Sequence, residues 1–260
     1  MADFDRHPAG TFCWIELATP DMDGAKPYYE ALFGWGWLDD TSAMGTYRKP
    51  QIRGRDVAGM YEQTREQTIK GAPPAWMSYV SVEDADASAA RAVVLGGTLV
   101  MGPMDAHTYG RMAVLQDPTG ATFAVWQPLE HPGAKVANEA GSLVWNELHT
   151  EDTAKAGAFY EALFGWSVAA SDMEGYTLFE QGGRGAGGMM ATDPSWGPGS
   201  SHWTAYFAVD DTDAHVAKAA ELGGQVRVPA MDIPGVGRFA LVVDPQGAGY
   251  GVIKLERPPT

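Results

Sequence analysis

The chain has 260 residues, 45% of them hydrophobic and 20% charged, with a formal net charge of −15 at pH 7. This is enough length and apolar content for two folded cores of ordinary domain size, which excludes a disordered chain. Excess acid with scattered Lys and Arg repels phosphate backbones and anionic lipid, so neither nucleic acid nor membrane is an expected partner. The opening MADFDRHPAG has acids where a secretory leader is basic, no apolar run reaches membrane-spanning length, and the single cysteine, Cys13, permits no intrachain disulfide. Together these predict a cytoplasmic protein.

In chain order, residues 12 to 18 alternate aromatic or branched with polar side chains, which predicts a half-buried strand. A helix follows from the N-cap Asp21 to Gly34, with Ala25, Tyr28 or Tyr29, Leu32 and Phe33 as its inner stripe and Pro27 as an irregularity. A strand over 76 to 82 leads through Asp84 into a helix over 85 to 95 that stops at Gly96 and Gly97. Strands at 110 to 116 and 121 to 127 are joined by the tight-turn sequence DPTG. The polar stretch 131 to 140 reads as a linker between domains at 1 to 130 and 141 to 260.

Beyond it the chain repeats itself. YYEALFGWGW at 28 to 37 returns as FYEALFGWSV at 159 to 168, and DPTG at 117 to 120 returns as DPQG at 244 to 247. Trp14 aligns with Trp145 and Trp76 with Trp203, the second half being four residues shorter between these blocks. One folding unit has been duplicated and fused, and each half holds a strand-helix-three-strand pattern twice. The expected fold is α+β, with four βαβββ units in two tandem domains.

Four such units, with FYxALFGW helix ends, GG helix stops and DPxG hairpins, resemble the vicinal oxygen chelate superfamily of glyoxalases, bleomycin-resistance proteins and extradiol dioxygenases. The resemblance implies sheets curled into cups that hold a small molecule. It also implies a divalent metal on inward side chains, at positions that correspond here to Trp14, about Met60, Met77 and Ala124, and to Trp145, about Met189, Thr204 and Gly251. None of these is a conventional ligand, so no cofactor is expected. The alternative is a displaced divalent site from Glu147, His149, His202 and Asp232.

Alternation along a strand puts Glu147 and His149 on the face of Trp145, and Glu16 on the face of Trp14. A carboxylate among indoles is poorly solvated, which raises its pKa and suits it to proton transfer. Glu147, His149 and Glu16 are therefore the candidate acid/base groups. Trp14, Trp145, Trp126, Met60, Met77, Met189, Tyr79, Tyr206, Thr204 and His202 are candidate walls for a flat apolar ligand. Arg111 and Arg238, in DAHTYGR and DIPGVGR, are placed to meet an anionic group at the cup mouth or to pair with surface acids. GGRGAGG at 182 to 188 lacks the Lys-Ser/Thr and helix of a phosphate loop.

These features predict an enzyme that works on a bulky aromatic or conjugated metabolite as a lyase, cyclase or hydroxylase-type tailoring step. The alternatives are a protein that binds and sequesters a small molecule, and a metal-dependent glyoxalase-like lyase or dioxygenase. The fused halves supply a pseudo-twofold contact, so a monomer or a homodimer is expected.

Overall fold

A computed structural model describes residues 2–3, 5–42, 45–193 and 201–257. The first half runs β1 (Ala2–Asp3), β2 (Phe12–Thr19), α1 (Met22–Phe33), β3 (Gly36–Ser42), β4 (Gly45–Ile52), β5 (Arg55–Asp56), β6 (Gly59–Glu62) and α2 (Arg65–Ile69). It continues with β7 (Ala75–Ser81), α3 (Ala85–Val94), β8 (Thr98–Ala106), β9 (Gly110–Gln116) and β10 (Thr122–Pro128). After β11 (Val136–Ala137), the second half runs β12 (Leu143–Thr150), α4 (Thr153–Phe164), β13 (Ser167–Ala170), β14 (Tyr176–Gln181) and β15 (Arg184–Ala191). It ends with β16 (His202–Ala208), α5 (Thr212–Glu221), β17 (Gln225–Ile233), β18 (Gly237–Val243) and β19 (Gly249–Leu255).

Local chemistry sets the helix ends. The Asp21 carboxylate accepts from Gly24 N and Asp152 from Lys155 N, while Gly34 and Gly165 take left-handed conformations at φ 67° and 73°. An aspartate satisfies a free N–H of the first turn, and glycine reverses the chain at no side-chain cost. α1 continues through Pro27 without a break.

Each half forms one open mixed sheet, so the fold is α+β as expected. The orders are β3-β4-β6-β2-β7-β10-β9-β8 and β13-β14-β15-β12-β16-β19-β18-β17. The two units of each half thus join along an antiparallel pair of first strands, β2 with β7 and β12 with β16. The first sheet is strongly curled. β3 and β9 lie six strand positions apart, roughly 30 Å in a flat sheet, yet Tyr109, at the β8–β9 turn, donates to Asp40 Oδ2 on β3 at 2.8 Å.

The outer faces bury the helices and join the halves. Ile15, Leu17, Tyr28, Tyr29 and Trp76 pack with Phe207, Ala219 and Tyr250 from the other half. Val80, Leu115 and Phe123 pack with Leu148, Phe159, Tyr160 and Trp203. The repeated motifs interlock here: Tyr29 donates to Asp244 of DPQG and Tyr160 to Asp117 of DPTG, both at 2.9 Å. No described helix is long and apolar enough to cross a membrane.

Candidate functional site

β2 and β12 carry the same alternation, with odd-numbered Ile15 and Leu17 on the outer core and Trp14 and Glu16 on the inner face. On that inner face Trp14 Nε1 donates to Tyr47 Oη at 3.1 Å, and Tyr47 donates to Glu16 Oε2 at 2.6 Å. Tyr79 donates to Glu16 Oε1 at 3.1 Å. The second half rebuilds this network. Trp145 Nε1 donates to Tyr176 Oη at 2.8 Å, Tyr206 donates to Glu147 Oε1 at 2.8 Å, and Tyr176 also bonds Glu147. Glycine makes room for both phenols that come from the neighbouring hairpins. A Cβ on Gly59 would collide with Tyr47 Oη, and one on Gly188 with Tyr176 Oη.

The cups then diverge. Ala18 faces Ala75 across the first sheet, whereas His149 faces His202 across the second. His149 Nε2 lies 2.9 Å from Glu147 Oε1, off the ring nitrogen's hydrogen-bonding direction. The His149 and His202 rings stack at 5.0 Å with planes 14° apart.

This difference shows in the two carboxyls. Burial pushes Glu16 upward, only partly offset by its two phenol donors. Burial pushes Glu147 up as well, but the His149 contact and charge, with Tyr206 and Tyr176, outweigh it and hold Glu147 below its ordinary value. The raised carboxyl expected from a dry aromatic setting is thus found at Glu16 and reversed at Glu147, because an imidazole and two phenols stabilise the anion. Burial and the adjacent carboxylate keep Tyr206, Tyr47 and Tyr79 well above the usual phenol range.

Several expected wall residues lie elsewhere. Met60 and Met189 stand beside Leu17 and Leu148 in the parallel register and are buried in the outer cores, facing away from the cups. The inner positions next to them are Gly59 and Gly188. Trp76 and Trp203 also face outward, donating to Tyr29 and Tyr160. Arg111 clamps Asp86 and Asp105, and Arg238 clamps Asp213 and Asp232, so each guanidinium is paired with one acid in a helix's first turn and one on a neighbouring strand.

Trp14, Tyr79, Trp126 and Met77 do share the first inner face. Thr204 stands opposite Glu147, and Tyr206 opposite Trp145 in the same pair of strands. Sequence reasoning missed Tyr47, Tyr176 and His131. The two tyrosines share a signal, since each closely follows a glycine, Gly45 at the start of β4 and Gly175 just before β14.

The Glyoxalase/Bleomycin resistance protein/Dioxygenase superfamily profile matches residues 11–125, and the Bleomycin resistance protein-like N-terminal profile matches 142–182. The chain is 41% identical over 250 residues to CFP32 of Mycobacterium tuberculosis, which carries the name of a glyoxylase, covering 94% of this chain and 95% of that one. It is 35% identical over 263 residues to the anthracycline biosynthesis protein DnrV of Streptomyces peucetius, covering 96% and 95%. Its fold matches the Mn(II)-bound glyoxalase of Novosphingobium aromaticivorans with a TM-score of 0.68 at 14% identity, covering 96% and 84%.

That last match corrects the expectation of a cofactor-free protein, because this fold is one that carries a divalent metal. The donors present here do not fit such an ion as they are arranged. In the first cup both oxygens of Glu16 are held by tyrosines, and His131 is packed against Trp14. In the second, Glu147 Oε1 already meets Tyr206 and His149, and among the described residues no three His, Cys, Asp or Glu side chains converge as a metal group. Asp232, the fourth member of the displaced set, is held by Arg238.

Proposed function

The chain belongs to the glyoxalase/bleomycin resistance protein/dioxygenase superfamily, and we propose that its second cup binds a planar aromatic or conjugated small molecule and moves a proton on it through Glu147 and His149. The observation that carries this reading is the 2.9 Å approach of His149 to Glu147, at the position where the otherwise matching first cup has Ala18. A carboxylate held ionised by Tyr206, Tyr176 and His149 is a base ready to take a proton from an acidic C–H or O–H of the ligand. His149 is next in line to pass that proton on or to steady the charge. Trp145, Tyr176 and Tyr206 supply the flat walls, and His202 stands over His149 at the rim.

The likeness to a protein of anthracycline biosynthesis supports a polycyclic aromatic substrate and a tailoring reaction. In this reading, residues 1–130 and 141–260 are two domains whose mutual packing substitutes for a subunit contact. Turnover of a polyketide-type aromatic should be lost in Glu147→Gln with the fold intact; unchanged turnover removes Glu147 from the chemistry. A second reading, binding without reaction, is favoured by the bleomycin-resistance profile over 142–182, which spans β12 to β14 of this cup. Recovery of the ligand chemically unchanged after incubation supports that reading over the first.

A further inference from the structure

The two inner faces share one network but differ in what lies over the tryptophan. In the first half the segment after β10 folds back across the cup. Leu129 N and His131 N donate to Tyr109 O, Trp126 Nε1 donates to His131 O, and Ala134 N donates to Cys13 O on β2. This sets the His131 imidazole edge-on to Trp14, with centroids 4.7 Å apart and planes at 81°, and also 6.2 Å from Trp126. The ring is mostly buried; its Nδ1 accepts from Gly133 N at 3.2 Å, while its Nε2 is 3.8 Å from Asp56 Oδ2, beyond hydrogen-bond reach, so one local backbone bond and aromatic packing hold it.

The second half starts the same course, with Glu256 N donating to Val236 O as Leu129 N does to Tyr109 O. The sequence counterpart of His131 is Pro258, that of Trp126 is Ile253, and that of Tyr109 is Val236. The latch from Tyr109 to Asp40 therefore has no counterpart of the same chemistry. Trp145 is correspondingly only half-buried, where Trp14 is 5% exposed.

We infer that the first cup is a ligand site of the same design filled by the chain itself, with the His131 ring as its internal ligand, and that the second cup takes a planar ring in the equivalent place, edge-on to Trp145. The second clause rests on the proposed function. The ring carries over and the charge does not, because the position equivalent to Asp56 is Gly185.

The test is cavity complementation on the full chain. His131→Gly should gain a saturable rise in thermal midpoint with added imidazole at fixed pH and ionic strength that exceeds any rise in the wild type and in His131→Phe, whose first cups are full. An equal response in all three proteins overturns the inference. So does a His131→Gly protein that neither folds nor is rescued by imidazole while His131→Phe folds.

Calorimetry with 2-naphthol separates this result from the proposed function. The wild type should bind one equivalent, and Trp145→Ala should bind about tenfold or more weakly. Unchanged binding in Trp145→Ala overturns the second clause and the proposed site, but leaves the filled first cup standing on the imidazole result.

Discussion

His149 Nε2 stands 2.9 Å from Glu147 Oε1, and this contact separates two otherwise matching networks. Removing the imidazole leaves burial as the dominant influence on Glu147. His149→Ala should therefore move the Glu147 titration to higher pH, read by carboxylate infrared bands or by the acid limb of a pH–rate profile. An unmoved limb shows that His149 does not tune the carboxyl. The same depressed pKa makes Glu147 a source of stability above the ordinary carboxyl pKa that is lost as pH falls through its folded value.

Glu16 has the opposite sign. Its raised pKa means the fold prefers the neutral acid, so its contribution is full below the ordinary carboxyl pKa and declines as pH rises through the folded value. Glu16→Gln should flatten the rise and fall of thermal midpoint across that window and cost little at neutral pH. Glu147→Gln should instead remove an ionised partner from His149 and cost stability there.

Two histidines whose pKa burial lowers strongly predict acid sensitivity. Burial lowers His131 and His215 to about 4, so the unfolded chain takes up protons first as pH drops below about 6.5. Stability should be present above pH ~6.5 and be lost progressively toward pH ~4, by up to ~3 kcal/mol per group. Urea unfolding of His215→Phe at pH 7 and pH 5 should show a smaller difference than in the wild type.

Tyr29 and Tyr160 each link a helix of one half to a turn of the other. Tyr29→Phe leaves Asp244 without its phenol donor and Trp76 Nε1 without its acceptor, inside a fully buried core. The loss should be about 1–3 kcal/mol in denaturant unfolding. Tyr160→Phe should cost a similar amount through Asp117 and Trp203.

Glycine substitution separates the cups. Gly188→Ala should push Tyr176 away from Glu147 and Trp145 and weaken aromatic binding, whereas Gly59→Ala disturbs Tyr47 over Glu16 in the cup already filled. Calorimetry with one aromatic probe on both variants should show the loss for Gly188→Ala alone.

Which side chains share the inner face was legible along β2 and β12, because strand alternation is a two-residue rule that needs no partner. Trp14 with Glu16, and Trp145 with Glu147 and His149, share a face for that reason. Met60 and Met189 were misplaced because they lie on neighbouring strands, where a one-residue change of register turns every side chain to the other face. The arginine clamps did have a signal, since Asp86 and Asp213 recur two residues after the helix caps Asp84 and Asp211. His131 had none, because its place over Trp14 depends on contacts made more than a hundred residues apart in the chain.

The sequence by itself determined the repeat, the α+β units, the aspartate and glycine helix ends and the DPxG turns, since all of these depend on near neighbours and on self-similarity. Only the tertiary structure decided that the two units of each half share one sheet, that the halves lock through Tyr29 with Asp244 and Tyr160 with Asp117, and that His131 lies over Trp14 while Trp145 stays half-buried. Those outcomes turn on strand pairing, register and chain crossing over long separations, where packing of whole faces rather than local preference sets the result.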